Sequence, residues 1–198
     1  MAFIKVYIEY VKNVIYNFDE AIYSFISLYI TDNCTKLMTA ITHMGSSYIL
    51  TFIAVIIFFV FGANIYFKIY RKLVIYNLAL TWIVNEVLKE LFKRERPDIL
   101  QLVTVNGYSF PSGHSMISMS FYGLLIFIFL RHIDCKHLRV SITAVLGFLI
   151  FLIGLSRIYL GVHYASDVIA GFIFGIMWLW LTILLMNRFY IAKYSLKG

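Results

Sequence analysis

Charge is what this chain has least of. Asp, Glu, Lys and Arg make up 14% of its 198 residues, against about 25% in a soluble globular domain. Hydrophobic residues account for 62% and the mean hydropathy is +0.85, which excludes an ordinary soluble domain and makes the bilayer the natural solvent. Cysteine is also sparse. Cys34 and Cys135 form no CxxC or Cys/His cluster, so no metal site is expected. The topology below puts them on opposite sides of a membrane, too far apart for a disulfide. The two prolines, Pro97 and Pro111, bracket the one long loop. There is no internal repeat and no low-complexity stretch. No signal peptide is expected, because Lys5, Glu9 and Lys12 interrupt any apolar core and no small-residue cleavage site follows. The net charge of +7 would suit nucleic acid only as a patch on a soluble domain. Here the basic residues lie between apolar runs, the pattern of membrane surfaces and anionic headgroups, so nucleic acid is not an expected partner.

By length the chain is one domain, with an N-terminal part over 1–45 and a transmembrane core over 46–198. Residues 3–16 put Lys5, Glu9, Lys12 and Asn13 on one helical face with apolar residues around the rest, which reads as an amphipathic helix lying in the interface. A polar stripe turned into a bundle would give the same pattern, and the helix would then span. Asp19 and Glu20 open a second amphipathic segment to about Ile30, and a third runs from Thr35 to Met44, ending at Gly45. Five uncharged runs follow, at about 46–67, 73–85, 115–130, 140–156 and 168–187. A bilayer core asks for about 20 apolar residues. The middle three runs reach that only by adding a turn that carries Glu86, Lys89, His114 or Arg157, which is cheap at headgroup level. The expected fold is therefore an all-α integral membrane bundle of five transmembrane helices, six if the N-terminal helix crosses.

Five spans place nine Lys and Arg on one side: Lys68, Arg71, Lys72, Arg131, Lys136, Arg139, Arg188, Lys193 and Lys197. The other side holds eight: Lys5, Lys12, Lys36, Lys89, Lys93, Arg94, Arg96 and Arg157. Lys89, Arg96 and Arg157 belong to motifs and answer to chemistry, so the first side is expected to be cytoplasmic. The motif side then faces outward.

Three polar constellations share that side. In Lys89-x6-Arg96-Pro97 the two cations lie two helical turns apart on one face, and Pro97 ends the helix. In Pro111-Ser112-Gly113-His114 a helix N-terminus offers amides to an anion, with a serine hydroxyl and a histidine beside it. In Ser156-Arg157-x5-His163-x3-Asp167, Arg157 is a donor fork suited to phosphate. Asp167 lies beside His163 if the last helix begins near Val162, and a carboxylate on one imidazole nitrogen leaves the other free to attack. Taken singly, each has a plainer reading. Lys89 and Arg96 could snorkel, His114 could cap its helix, and His163 and Asp167 could be a structural pair. Glu90, Lys93, Arg94 and Glu95 read as a solvated charge cluster, and Tyr108 and Phe110 as an interfacial aromatic belt or the lining of a lipid entry. His43, His132 and His137 have no partner motif and no assigned role. The plain readings do not explain why three separated segments bring cations and two histidines to one membrane face.

Those eleven positions at fixed spacing resemble the three-part signature of the type 2 phosphatidic acid phosphatase superfamily, shared with vanadium haloperoxidases and bacterial acid phosphatases. The resemblance covers about residues 40–190 and is strongest to small bacterial membrane enzymes acting on phosphatidylglycerophosphate, phosphatidate or undecaprenyl diphosphate. Those relatives commonly have six spans, and this N-terminus looks short and polar for the first. The resemblance implies that His163 attacks phosphorus to form a phosphohistidine, Asp167 orients it, and His114 protonates the leaving oxygen. Lys89, Arg96, Ser112, Gly113 and Arg157 would hold the phosphate oxygens, with no metal and no cofactor. The expected function is a metal-independent lipid phosphatase of the cell membrane with undecaprenyl diphosphate as substrate. The alternatives are a phosphatidylglycerophosphate or phosphatidate phosphatase, a lipid-binding or transport protein on the same fold, and a haloperoxidase using vanadate.

Overall fold

A computed structural model describes the backbone over residues 2–60 and 68–195 and the side chains over 9–60 and 70–188. The expectations for Lys5, for the second half of the first apolar run and for the basic C-terminal tail lie outside those residues. Seven helices follow one another: α1 (Ala2–Ser27), α2 (Asp32–His43), α3 (Ser47–Val60), α4 (Lys68–Phe92), α5 (Gly113–His132), α6 (Lys136–Tyr159) and α7 (Ala165–Ser195). No strand occurs among the described residues.

Three of the helices are long and apolar enough to cross a membrane: α5, α6 and α7 over Ala165–Arg188. The pair α2 and α3, bent by 47°, supplies a fourth span if it is counted as one. The last four uncharged runs fall on helices, and the described part of the first forms α3. The second is the middle of α4, whose 25 residues extend to about 37 Å with charged residues at both ends.

At the N-terminus the chain does not divide where Asp19 and Glu20 suggested. One helix runs through both, because no glycine or proline occurs before Gly45 to break it. Asp19 is 3% exposed. Far from opening a new surface segment, it is turned into the protein. Thr31 then caps α2, its hydroxyl accepting from the Cys34 amide at 3.3 Å.

α5 sits at the centre, packed most extensively against α7, then α6 and α4. It is apolar or small on every face, as a surrounded helix must be, and Met116, Phe121, Leu124 and Ile128 are buried. Leu50, Val74 and Ile153 meet it from α3, α4 and α6. On the outside, Phe148 and Phe151 of α6 and Ile173, Ile176 and Trp180 of α7 are exposed, an apolar belt that suits lipid.

The α5–α7 contact is a backbone contact. A methyl on Gly171 would stand 2.7 Å from the Ser112 carbonyl oxygen, and one on Gly175 the same distance from that of Met116. Two glycines four apart let helices approach this closely in a membrane. Further out, a buried polar group joins α4, α5 and α7. The Ser120 hydroxyl donates to Asn77 Oδ1 at 3.0 Å, Thr182 donates to the same oxygen at 3.2 Å, and Asn77 Nδ2 donates to the Ser120 carbonyl at 3.3 Å.

Candidate active site

The ends of α4, α5, α6 and α7 on one side of the bundle carry Lys89, Gly113, His114, Arg157 and Asp167, with Arg96, Ser112 and His163 in the segments that join them. The 20-residue connection 93–112 and the short turn 160–164 close over them. That turn depends on Gly161, whose φ of +71° lies in the region favouring glycine. A methyl there would also stand 2.3 Å from the Leu100 carbonyl oxygen. The Leu102 amide donates to the Leu160 carbonyl at 3.0 Å, so loop and turn are held together.

His163 lies in this turn, two residues ahead of α7. The helix does not begin near Val162, yet the pair still meets, through capping. Asp167 stands in the first turn of α7 and its Oδ2 accepts from the Tyr164 amide at 3.0 Å, half of a capping box. Oδ2 is 3.6 Å from His163 Nδ1, an ion-pair distance longer than a hydrogen bond. The expected direct bond is replaced by a bridge. The Ser109 hydroxyl donates to Asp167 Oδ2, and its oxygen lies 3.4 Å from His163 Nδ1. Having given its one proton to the carboxylate, that oxygen can only accept from Nδ1–H. The lone pair is therefore on Nε2, which faces Arg96 Nη1 at 3.4 Å. Burial holds His163 down to about 4. Arg157 and Arg96 push the same way and the Asp167 carboxylate opposes them, so the imidazole is neutral at physiological pH.

Arg157 is 3% exposed on the last turn of α6. Its Nη1 donates to Thr42 Oγ1 at 2.9 Å, and its Nε is buried without a partner among the described residues. Arg96 is braced more fully. It donates through Nε to the Gly107 carbonyl at 2.9 Å, through Nη2 to Asn106 at 3.0 Å and through Nη1 to Val162 at 2.7 Å. One N–H remains on Nη2, while the second on Nη1 faces His163 Nε2.

Lys89 pairs with Glu86 at 3.0 Å, and its Nζ would lie 3.8 Å from a methyl on Gly113. Ser112 is fully buried, and its amide is tied to the Asp167 carbonyl at 3.1 Å. It precedes α5 without capping it through its side chain, so the amides of the first turn are left for an anion. His114, next along, is half-buried against Gly45. Its charged and titratable neighbours are Arg157, His163, Lys89 and His43. Cations, two imidazoles and a helix N-terminus thus converge, which suits a tetrahedral anion.

A further expectation fails. Arg94 is no member of a solvated cluster: its Nη1 donates to Asp167 Oδ1 at 2.6 Å and its Nη2 to Asp19 Oδ2 at 2.8 Å, with its guanidinium 4.0 Å over the Tyr164 ring. The helix does not continue through the charge run. It stops at Phe92, Lys93 takes a positive φ of 47°, and Arg94 is thrown inward. Ser109, Thr42 and Asp19 were also missed, and only Ser109, three residues before Ser112, carried a local hint. Phe110 packs between Phe92 and Phe174, at centroid distances of 4.8 and 6.3 Å. A cavity of about 270 Å³ between α1, Pro97–Ile99 and the turn is lined by Asp19, Tyr23 and His163.

A family described as the PAP2 superfamily matches residues 72–191. Phosphatidylglycerophosphatase B of Bacillus subtilis is 36% identical over 172 residues, covering 83% of this chain and 81% of that protein. Lipid A 1-phosphatase of Rhizobium johnstonii is 30% identical over 123 residues, covering 57% of this chain and 46% of that protein. The crystal structure of a transmembrane PAP2-type phosphatidylglycerolphosphate phosphatase from Bacillus subtilis superposes with a TM-score of 0.82 at 31% identity, covering 89% of this chain and 88% of that one. For Aquifex aeolicus LpxE the TM-score is 0.67 at 26% identity, over 82% of this chain and 93% of that one.

Proposed function

The chain belongs to the PAP2 superfamily and is a membrane hydrolase of lipid phosphates; from that premise we propose that it removes the terminal phosphate of phosphatidylglycerophosphate through a phosphohistidine on His163. The observation that carries this reading is the imidazole itself. Nδ1–H is held on Ser109, which is itself held on Asp167, and the lone pair on Nε2 faces Arg96. Nε2 attacks phosphorus and the ester P–O bond breaks. The lipid alkoxide takes a proton from His114. Water, deprotonated by His114, then cleaves the P–N bond and releases inorganic phosphate. Lys89, Arg96, Arg157, Ser112 and the Gly113 amide hold the equatorial oxygens, where charge develops. The buried, unpartnered Nε of Arg157 supports its place among them, since such a donor is costly unless something accepts from it.

The names of the relatives favour phosphatidylglycerophosphate over the undecaprenyl diphosphate expected from sequence. The site motifs read only the phosphate, so a diphosphate is the second reading. It is favoured by the charge asymmetry: with Arg94 engaged at the site, four of the eight basic residues counted for that side answer to the chemistry. This supports a site at the outer face of the cell membrane.

Detergent-solubilised protein given phosphatidylglycerophosphate, phosphatidate and undecaprenyl diphosphate in turn tests the substrate. Phosphatidylglycerophosphate should turn over fastest, chelator should change nothing, and His163→Ala should be silent. Faster release from undecaprenyl diphosphate would reassign the substrate, and no release from any would leave a lipid-binding protein on this fold. An impermeant maleimide applied to intact cells should label Asn106→Cys and spare exposed Cys135. The reverse pattern would put the site inside.

A further inference from the structure

One buried acid has no part in the chemistry above. Asp19 of α1 is 3% exposed, and a carboxylate so placed is costly unless paired and hydrogen-bonded. Its Oδ1 accepts from the Ser166 amide at 2.7 Å, and its Oδ2 from the Ser166 hydroxyl at 2.7 Å and from Arg94 Nη2 at 2.8 Å. Arg94 Nη1 in turn holds Asp167 Oδ1 at 2.6 Å and Ser166 Oγ at 2.7 Å. One guanidinium therefore bridges two carboxylates from helices at opposite ends of the chain.

An arginine on Asp167 alone would neutralise the charge that His163 depends on. Asp19 on the other prong draws the guanidinium back, so that the three groups carry a formal charge of −1. The Asp167 carboxylate keeps the negative potential that stabilises a positively charged or phosphorylated imidazole. We infer that Asp19 is a positioning residue for phosphoryl transfer, acting through Arg94 and Asp167 on His163, so that the N-terminal helix is part of the working site. The role rests on the phosphohistidine reading above.

The test uses full-length protein carrying Asp19→Asn, alone and with Arg94→Gln. Asp19→Asn leaves Arg94 uncompensated on Asp167. It should lower kcat about tenfold, the effect of a change near 1.4 kcal/mol, and leave KM within about twofold. The double variant removes both charges and should regain at least about threefold over the single one. The rate at which diethyl pyrocarbonate modifies His163, followed by mass spectrometry, should rank the three proteins in the same order without any substrate. A scaffolding role predicts the opposite: the double variant falls below the single one. That result, or an Asp19→Asn protein within twofold of wild type in both measurements, would overturn the inference. The double variant keeps Asp167 hydrogen-bonded to Ser109 and to the Tyr164 amide, and it is measured in place of the single one if that does not fold. Turnover or modification there below about a tenth of wild type would also overturn it. Wild-type protein that releases no phosphate would refute the phosphatase reading, while the modification rates would still decide this one.

Discussion

Two buried polar groups occupy the same bundle and answer to different rules. The outer one, Asn77 with Thr81, Ser120 and Thr182, is neutral and closed: Asn77 Oδ1 accepts twice, and the Thr81 and Ser120 hydroxyls lie 3.0 Å apart. The one at the helix ends is charged and open. Arg157 Nε and Asn85 Oδ1 are buried there without partners among the described residues, and the cations outnumber the acids that reach them. Closed polar groups in a membrane bundle are glue, worth on average about 0.6 kcal/mol per hydrogen bond. An open group costs stability and is kept for something that binds.

Substitutions that respect the contrast should separate turnover from stability. His163→Ala should lower kcat by at least about 10⁴-fold, as loss of a nucleophile does, while the thermal midpoint in detergent holds or rises. A residual rate within tenfold of wild type would mean that the nucleophile is elsewhere. Arg157→Met should cost on the order of 10²–10³ in kcat, by comparison with a lost oxyanion donor, again without loss of fold. Ser109→Ala removes the bridge between His163 and Asp167 and should cost about tenfold, the worth of one net hydrogen bond near 1.4 kcal/mol. An unchanged rate would show that the carboxylate reaches the imidazole unaided.

Acid gives a further separation. Because the folded protein holds His163 near 4 against an ordinary value of about 6.5, the unfolded chain binds this proton more readily. The stability His163 contributes is complete above about pH 6.5 and is lost as pH falls toward 4. Wild type should lose midpoint across that window, and His163→Gln should lose less. The smallest effect belongs to the closed group. Asn77→Leu should leave turnover within twofold and lower the midpoint by a few degrees. A tenfold fall in turnover would break the division between the two regions.

The apolar helices were legible in sequence because apolar length is a local signal, and fixed motif spacing nominated the eight candidate site positions; Pro97 misled, since α4 ends at Phe92 and Lys89 and Arg96 share no helical face. What was not legible came from distance. Arg94 sits in a run of charges that reads as solvated, and only the backbone reversal at Lys93 turns it inward. Asp19 looks like a surface acid on an amphipathic helix until Ser166 and Arg94, about 150 and 75 positions away, are brought to it. Ser109 and Thr42 are ordinary hydroxyls whose partners exist only after folding. The unbroken run before Gly45 was the readable sign that Asp19 lies within a helix, and the two acids at 19 and 20 masked it.

The paired glycines of α7 have a consequence for the lipid around the protein. Membranes differ in thickness, and helices usually accommodate by leaning. With Gly171 and Gly175 pressed onto the backbone of α5, neither helix can lean independently without main chain colliding with main chain. The two must incline as one rigid plank, carrying Ser112, His114 and Asp167 together. A thicker or thinner bilayer then reorients these three groups together and leaves their mutual spacing alone.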